Sequence, residues 1–254
     1  MSAQEIAGVK ETMTTAQIQF FKENGYLILD NFIEPPIVAR WQQAIRKCFE
    51  VSSKDNDSLN LSRKEGQDFK FTSKSSLGNH LPLSRVLKQL VGGTFEFASE
   101  DLIIIRPTSE QEWSMPRKGH IDRFLPSYRS RFMLGLTTYA YDVSPKGGGT
   151  IIWPKSHLTN WKYFQAFPDH HYGNGPEAGI GPVHERLTQR AVCEPIEFTA
   201  KPGTVLLWHS FMLHTASLNI SKRHRMAIFC RWGQPLQPEQ PRETFGDIWE
   251  NWTI

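Results

Sequence analysis

The sequence has few cysteines, no long apolar run and no long basic run. Its three cysteines, Cys48, Cys193 and Cys230, lie far apart and form no C-x-x-C pair. This argues against a zinc ribbon or a disulfide framework and favours a reducing, cytoplasmic location. No window approaches 18 consecutive apolar residues, and the N-terminus lacks the pattern of a signal peptide, so we expect no membrane partner and no secretion.

The chain also has no large excess of charge of either sign. The 29 basic and 26 acidic residues give a formal net charge of +3, and without a basic stretch nucleic acid is not an expected partner. A length of 254 residues suits one domain, whose oligomeric state the sequence leaves open. Within the single domain of residues 1–254 we expect an N-terminal segment of helices and strands at 14–93 and a jelly-roll core at about 95–232. A lid-like insertion at 156–190 interrupts the core, and a C-terminal tail follows at 233–254.

Short strands dominate the second part of the sequence. Before them, Thr14 and Gly25 bracket a predicted helix, YLILDNF is typical of a strand, and a second helix follows Pro35-Pro36. From Phe95 onward, β-rich runs such as RFMLGLTTYAYDV, TVLLWHSF and RMAIFCRW alternate with Gly, Pro and Asn turns. Repeated strands without long helices between them favour a mainly β fold with flanking helices, a jelly roll or barrel.

The insertion at 156–190 interrupts these strands. It contains a predicted helix around Leu158 to Phe167, followed by a loop rich in Gly, His and Pro. Because insertions between the strands of such a fold often lie at its mouth, we expect this segment to cover a site like a lid.

The segment KGHIDRF, residues 118–124, holds a histidine and an aspartate two positions apart. Side chains at i and i+2 of an extended segment point to the same side, so His120 and Asp122 can reach one metal ion. Nine histidines and nine aspartates in the chain give about 0.3 chance occurrences of this pair, so the pair alone is weak evidence. An iron(II) site that activates oxygen uses two histidines and one carboxylate. The late segment VLLWHSFMLHTASLNIS offers His209 and His214 as the third ligand.

Four segments together resemble the phytanoyl-CoA hydroxylase (PhyH) family of iron(II)- and 2-oxoglutarate-dependent oxygenases. They are FFKENGYLILDNF, His120-x-Asp122, GGGTIIWPKSH, and PGTVLLWHSFMLHTASLNIS with Arg225, in that order over most of residues 15–232. The resemblance implies a double-stranded β-helix, the cupin-like jelly roll, with iron(II), 2-oxoglutarate and oxygen. It also implies a small-molecule substrate that is hydroxylated at an unactivated C–H bond while succinate and carbon dioxide are released.

The resemblance also implies the third metal ligand. His214 precedes Asn219 by five residues and Arg225 by eleven, which is similar to the family's spacing, so His214 is expected to join His120 and Asp122. His209 is then interpreted as a structural histidine of a strand.

The same resemblance implies a cosubstrate arginine. Arg225 is expected to bind the distal carboxylate of 2-oxoglutarate, because a guanidinium presents two parallel donors to a carboxylate. Arg223 is the alternative, since only the start of the strand separates the two. Thr137 and Thr150 are expected as further cosubstrate contacts.

Basic residues cluster around the His-x-Asp pair. Arg106, Arg117, Lys118, Arg123, Arg129 and Arg131 fall within 26 residues. We expect Arg123 and Arg117, with Trp113 and Phe124, to contact an anionic substrate such as a carboxylate-bearing metabolite or natural-product intermediate. The alternative is that these arginines are solvated residues of loop edges.

The reaction itself is less constrained. Related halogenases have a small residue where this chain has Asp122, so the resemblance favours hydroxylation over halogenation. Desaturation and oxidative dealkylation use the same iron chemistry and stay open. The alternative from a different class is a non-catalytic metal- or ligand-binding module, because the fold alone does not establish activity.

Overall fold

The fold combines ten strands with six α-helices and one short 3-10 helix (Leu77–Asn79) in the part of the chain that the structure describes. The structure, a computed structural model, describes residues 12–50, 62–63, 69–92, 95–108, 112–122, 130–171, 180–235 and 245–254. The helices are α1 (Thr15–Asn24), α2 (Pro35–Cys48), α3 (Leu81–Val91), α4 (Ser156–Ala166), α5 (Pro168–His171) and α6 (Ile180–Gln189). The strands are β1 (Tyr26–Leu29), β2 (Phe49–Glu50), β3 (Ser62–Arg63), β4 (Glu96–Ile105), β5 (Ser130–Tyr139), β6 (Thr150–Ile152), β7 (Ile196–Phe198), β8 (Val205–His209), β9 (His214–Ala216) and β10 (Arg225–Pro235).

Two antiparallel sheets form the core of the molecule. The larger has the strand order β1-β8-β5-β10-β4 and the smaller the order β7-β6-β9, while β2 and β3 pair separately. Residues from both sheets meet in one buried cluster, in which Tyr139 and Trp208 of the larger sheet accompany Ile152 and Phe198 of the smaller one. The predicted mainly β, jelly-roll architecture with flanking helices is therefore confirmed, as two facing sheets whose described strands do not close into a barrel.

The helices before β4 cover the outer face of the larger sheet. Trp41 of α2 and Leu83 of α3 share a second core cluster with Leu134 and Leu136 of β5. Because side chains alternate along a strand, Thr137 and Tyr139 of β5 point the other way, between the sheets. The central strands β5 and β8 of the larger sheet are thus buried on both faces, whereas its edge strand β4 is partly exposed. The inner face of the sheet is available to line a site.

The first helix ends as the sequence predicts. Thr14 and Gln17 form a reciprocal capping box at its start, and Gly25 adopts a left-handed conformation with φ of 78° at its end. Gly25 also lies against the His157 ring, so a side chain there would collide with that ring. The capped helix therefore leads directly into β1 at the edge of the larger sheet.

The insertion contains more helix than the sequence indicated. Its first helix, α4, agrees with the expectation, but α6 lies in the part expected to be loop. Val183 and Leu187, one helical turn apart, are fully buried in a cluster with Phe164 and Phe211, and this i, i+4 apolar pair stabilises the helix. Residues 172–179 of the expected loop lie outside the described residues.

The end of the chain packs against the first helix and the core. Trp249 and Trp252 contact Phe21, and the Thr253 amide donates to the Leu90 carbonyl. Among the described helices, none is long and apolar enough to cross a membrane.

Candidate active site

Two histidines and one aspartate converge between the sheets. One ligand atom each from His120, Asp122 and His214 lies within 4.8 Å of the others. The Asp122 Oδ1 oxygen is 3.5 Å from His214 Nε2 and 3.8 Å from His120 Nε2. Among the described residues this is the only such group of three or more potential metal ligands.

The His214 side chain is fixed from two directions. Its Nδ1 nitrogen lies 3.0 Å from the Met212 carbonyl oxygen, so Nδ1 must carry the hydrogen and Nε2 presents its lone pair to the cluster. The Trp208 ring packs against the His214 ring with 4.4 Å between centroids. A backbone hydrogen bond that fixes the tautomer of a ligating histidine is a common feature of metal sites.

The segment that carries His120 is joined to β9 and to α6. His120 and His214 exchange two backbone hydrogen bonds of 2.9 Å, which aligns the two rings on one side. On the other side, the Thr188 hydroxyl of α6 accepts from the Gly119 amide at 3.2 Å. The insertion helix α6 therefore helps to position a candidate ligand, in addition to any covering role.

The electrostatics of the cluster favour metal-binding protonation states. Burial, together with the nearby His214, lowers the pKa of His120 to about 4, so its imidazole is neutral at neutral pH. Burial would raise the pKa of Asp122, but its polar neighbours, His214 and the Arg231 guanidinium, hold it well below its ordinary value. A neutral imidazole and an ionised carboxylate are the forms that bind iron(II).

Arg225 opens β10 and is almost fully buried. Its Nε donates to the Gly148 carbonyl at 2.7 Å and its Nη1 to the Ile103 carbonyl at 3.3 Å. These contacts use two of the five guanidinium N–H groups. Burial lowers the pKa of Arg225, which the nearby Tyr139 partly opposes. No carboxylate among the described residues forms an ion pair with Arg225, so this buried cation can still receive an anion.

The two predicted threonine contacts lie on the inner faces of the two sheets. Thr137 is fully buried, and its hydroxyl accepts a 3.1 Å hydrogen bond from the Trp208 indole. The Thr150 amide donates to the Tyr139 hydroxyl at 2.8 Å. Both threonines therefore have structural partners, and their contact with a cosubstrate stays a prediction.

The predicted substrate residues are only partly within the described chain. Arg117 is exposed, whereas Met115, two residues before it, is half-buried. The Lys146 ammonium lies over the Trp113 ring, 5.7 Å from the ring centroid. Arg123 and Phe124 lie outside the described residues. A shared binding surface of these four residues therefore stays a prediction.

The alternatives to His214 and Arg225 have other surroundings. The His209 ring is fully buried, accepts from the Phe211 amide through Nδ1 at 3.1 Å and stacks on Trp252; it is not part of the metal-binding group. Arg223 is exposed in the turn before β10, which begins only at Arg225.

Three residues near the site were not among the sequence candidates. Arg231 bonds Asp122, the His184 ring lies 5.9 Å from the His120 ring, and the Tyr139 hydroxyl binds β6. A sequence signal for Arg231 existed: side chains alternate along a strand, so Arg231, six residues after Arg225, is expected on the same inward face. His184 had no such signal, because it reaches the site through the fold of the insertion.

The donor set fits iron(II) and 2-oxoglutarate. Two imidazole nitrogens and one carboxylate are the ligands of a mononuclear iron(II) oxygenase site with open positions. Arg225 is a buried cation, the kind of group that can bind a distal carboxylate.

Comparison with known proteins identifies the family. A sequence model described as Phytanoyl-CoA dioxygenase (PhyH) matches residues 21–227. The chain therefore belongs to the PhyH family, which confirms the predicted dioxygenase class with iron(II), 2-oxoglutarate and oxygen. No curated protein gave a significant match.

Solved structures share the fold at low sequence identity. The carbocyclase SnoK from nogalamycin biosynthesis is 17% identical, with a TM-score of 0.60, 96% of this chain covered and 98% of SnoK. The epimerase SnoN, solved with Fe3+, alpha ketoglutarate and nogalamycin RO, is 15% identical, with a TM-score of 0.58 and coverage of 86% and 82%. EctD from S. alaskensis, solved with 2-oxoglutarate and 5-hydroxyectoine, is 18% identical, with a TM-score of 0.54 and coverage of 95% and 86%.

Proposed function

We propose that this dioxygenase hydroxylates an unactivated C–H bond of a small metabolite or natural-product intermediate. The observation that carries the proposal is the convergence of His120, Asp122 and His214, whose ligand atoms lie within 4.8 Å of one another. These three residues would hold iron(II). Bound iron(II), with 2-oxoglutarate and oxygen, supplies the oxidation that is coupled to the release of succinate and carbon dioxide.

The chain's own residues orient the reactants. His214 would present Nε2 to the metal because its Nδ1 is committed to the Met212 carbonyl. Arg225 would bind the distal carboxylate of 2-oxoglutarate, since it is buried and has unused N–H groups. Thr137 and Thr150, on the inner faces of the two sheets, would be further contacts of 2-oxoglutarate. Arg225 would hold 2-oxoglutarate at one end and the metal would hold it at the other. The substrate would then be oriented by the side of the site that stays open.

We propose that the substrate carries an anionic group, such as a carboxylate. Arg117 supports this, because it is exposed just before the candidate ligand His120. The neighbouring Lys118 pairs with Glu185 at 3.3 Å, so its charge is partly neutralised. Arg123, Trp113 and Phe124 complete the proposed substrate contacts. An Arg117→Gln variant is expected to raise KM for an anionic substrate while leaving KM for 2-oxoglutarate unchanged.

A product measurement tests the reaction type. Purified protein is supplied with iron(II), 2-oxoglutarate, ascorbate and a panel of soluble carboxylic acids, and succinate formation is recorded. Hydroxylation adds one oxygen to the substrate, desaturation removes two hydrogens, and dealkylation releases an aldehyde, so mass spectrometry separates them. The solved proteins that share this fold include a carbocyclase and an epimerase, so the product must be measured. Undiminished oxygen-dependent succinate formation by an Asp122→Ala, His214→Ala double variant would refute the proposed metal site.

The location of the protein is part of the proposal. We propose a reducing, cytoplasmic setting, which the three free thiols of Cys48, Cys193 and Cys230 support. Localisation of a tagged protein in cell fractions would test it.

A further inference from the structure

The two oxygens of the Asp122 carboxylate face different partners. Oδ1 points toward the two histidine Nε2 atoms, at 3.5 and 3.8 Å. Oδ2 accepts a 2.6 Å hydrogen bond from the Nε of Arg231. Arg231 therefore forms its short charge-assisted bond with Oδ2, whereas Oδ1 is the oxygen that faces the histidines.

The strand β10 aims Arg231 at this carboxylate. Arg225 and Arg231 are six residues apart, so alternation places both on the inner face of the sheet. The pairing of β10 with β4 shifts register between Arg231 and Trp232, and its pairing with β5 shifts one residue later. Such bulges commonly re-aim a side chain next to an active site.

The other contacts of Arg231 are weaker. Its Nη1 lies 3.4 Å from Asp101 Oδ2 and 3.5 Å from Ser99 Oγ, both on β4. The Asp101 side chain is 50% exposed, and an exposed ion pair of this length contributes little. The contact with Asp122 is therefore the one that can direct chemistry.

We propose that Arg231 is a positioning residue that holds Asp122 as a one-oxygen ligand. This proposal rests on the proposed function, because it assumes that Asp122 binds iron(II). A carboxylate can bind a metal through one oxygen or two. If Oδ2 also bound, one of the positions needed for 2-oxoglutarate and oxygen would be lost. Binding of Oδ2 by Arg231 keeps that oxygen away from the metal and fixes the plane of the carboxylate.

The test compares Arg231→Met, Arg231→Lys and Asp101→Asn with the unchanged protein. Co(II) is titrated into metal-free protein without oxygen, the Co(II) absorption spectrum is recorded as a measure of coordination number, and 2-oxoglutarate is then titrated into the loaded protein. We expect Arg231→Met to weaken Co(II) binding by about 10- to 100-fold, to change the spectrum and to weaken 2-oxoglutarate binding. Arg231→Lys keeps the charge and is expected to recover part of the loss. Asp101→Asn breaks only the other ion pair of Arg231 and is expected to bind Co(II) within about twofold of the unchanged protein.

The outcomes separate the two proposals. If the unchanged protein binds no Co(II), the proposed function fails and the role of Arg231 fails with it. If the unchanged protein binds Co(II) but Arg231→Met has the same affinity and spectrum, only the role of Arg231 is overturned. An equal loss in Asp101→Asn would also overturn it, because the effect would then be a general structural one. Should Arg231→Met not fold, as judged by circular dichroism, unchanged affinity and spectrum in Arg231→Lys would overturn the proposal.

Discussion

The Nδ1 nitrogen of His214 donates a 3.0 Å hydrogen bond to the carbonyl oxygen of Met212. Met212 lies in the turn between β8 and β9, and His214 is the first residue of β9, so the backbone itself sets which ring nitrogen faces Asp122. The same turn leaves His209 pointing the other way, where its ring stacks on Trp252. Two histidines five residues apart therefore have different environments and are expected to have different roles.

The first prediction compares these two histidines. His214→Ala is expected to abolish stoichiometric Co(II) or iron(II) binding, because it removes one of three protein ligands. His209→Phe should keep metal binding but lower the free energy of unfolding by about 1–3 kcal/mol, because the buried Phe211 amide loses its acceptor. Metal titration and urea denaturation measure the two effects. Loss of metal binding in His209→Phe with His214→Ala unaffected would reverse the assignment.

The second prediction concerns the cosubstrate arginine. Arg225→Gln is expected to raise KM for 2-oxoglutarate by about 10- to 100-fold, since a hydrogen bond to a charged group is worth about 1.5–3 kcal/mol. Steady-state succinate formation at varied 2-oxoglutarate measures it. Arg223→Gln is the matched control, because Arg223 lies in the exposed turn just before β10. If the Arg223 variant has the raised KM and the Arg225 variant does not, the two roles must be exchanged.

Much of the fold was predictable because local signals agree with it. The Thr14 cap, the left-handed Gly25 and the alternating strands each depend on neighbouring residues. The His-x-Asp pair was likewise local, and the resemblance supplied the distant His214 and Arg225. Local patterns therefore predicted the mainly β fold class, and together with the resemblance they predicted the candidate ligand set, whose roles stay a prediction.

What the sequence did not reveal depends on long-range packing. Helix α6 was expected to be loop, because its Gly and Pro residues outweighed the single buried pair Val183 and Leu187. The hydrogen bond from Arg231 to Asp122 joins residues 109 positions apart, so no spacing rule indicates it. The strand β9 has only three residues, too few for a periodic pattern, and it becomes visible only through its pairing with β6.

The third prediction is a pH dependence of stability from a buried histidine. Burial lowers the pKa of His157 to about 4 from an ordinary 6.5, although its hydrogen bond to the Lys22 carbonyl opposes the shift. The unfolded chain therefore takes up this proton first, and His157 contributes stability above pH 6.5 that is lost as the pH falls toward 4. One such proton changes the free energy of unfolding by up to about 1.4 kcal/mol per pH unit.

A neutral replacement isolates that contribution. His157→Gln keeps a donor for the Lys22 carbonyl but does not titrate in this range. Urea denaturation of both metal-free proteins between pH 7.5 and 4.5 is expected to show a shallower loss of stability in the variant. Parallel curves for the two proteins would show that His157 does not titrate as its burial implies.

The last prediction uses two glycines that differ in their surroundings. A side chain at Gly135 would collide with the Trp208 ring, and that ring packs against His214 and binds the Thr137 hydroxyl. Gly135→Ala is therefore expected to cost about 1–3 kcal/mol of stability, as overpacked cores do, and also to weaken metal binding through the displaced Trp208. Gly181 in α6 has no atom within 4 Å of an added side chain, so Gly181→Ala should leave metal binding unchanged and raise stability by up to about 1 kcal/mol. Thermal unfolding and Co(II) titration of both variants measure these effects. A Gly135→Ala protein that loses stability but binds Co(II) normally would mean that Trp208 does not position His214.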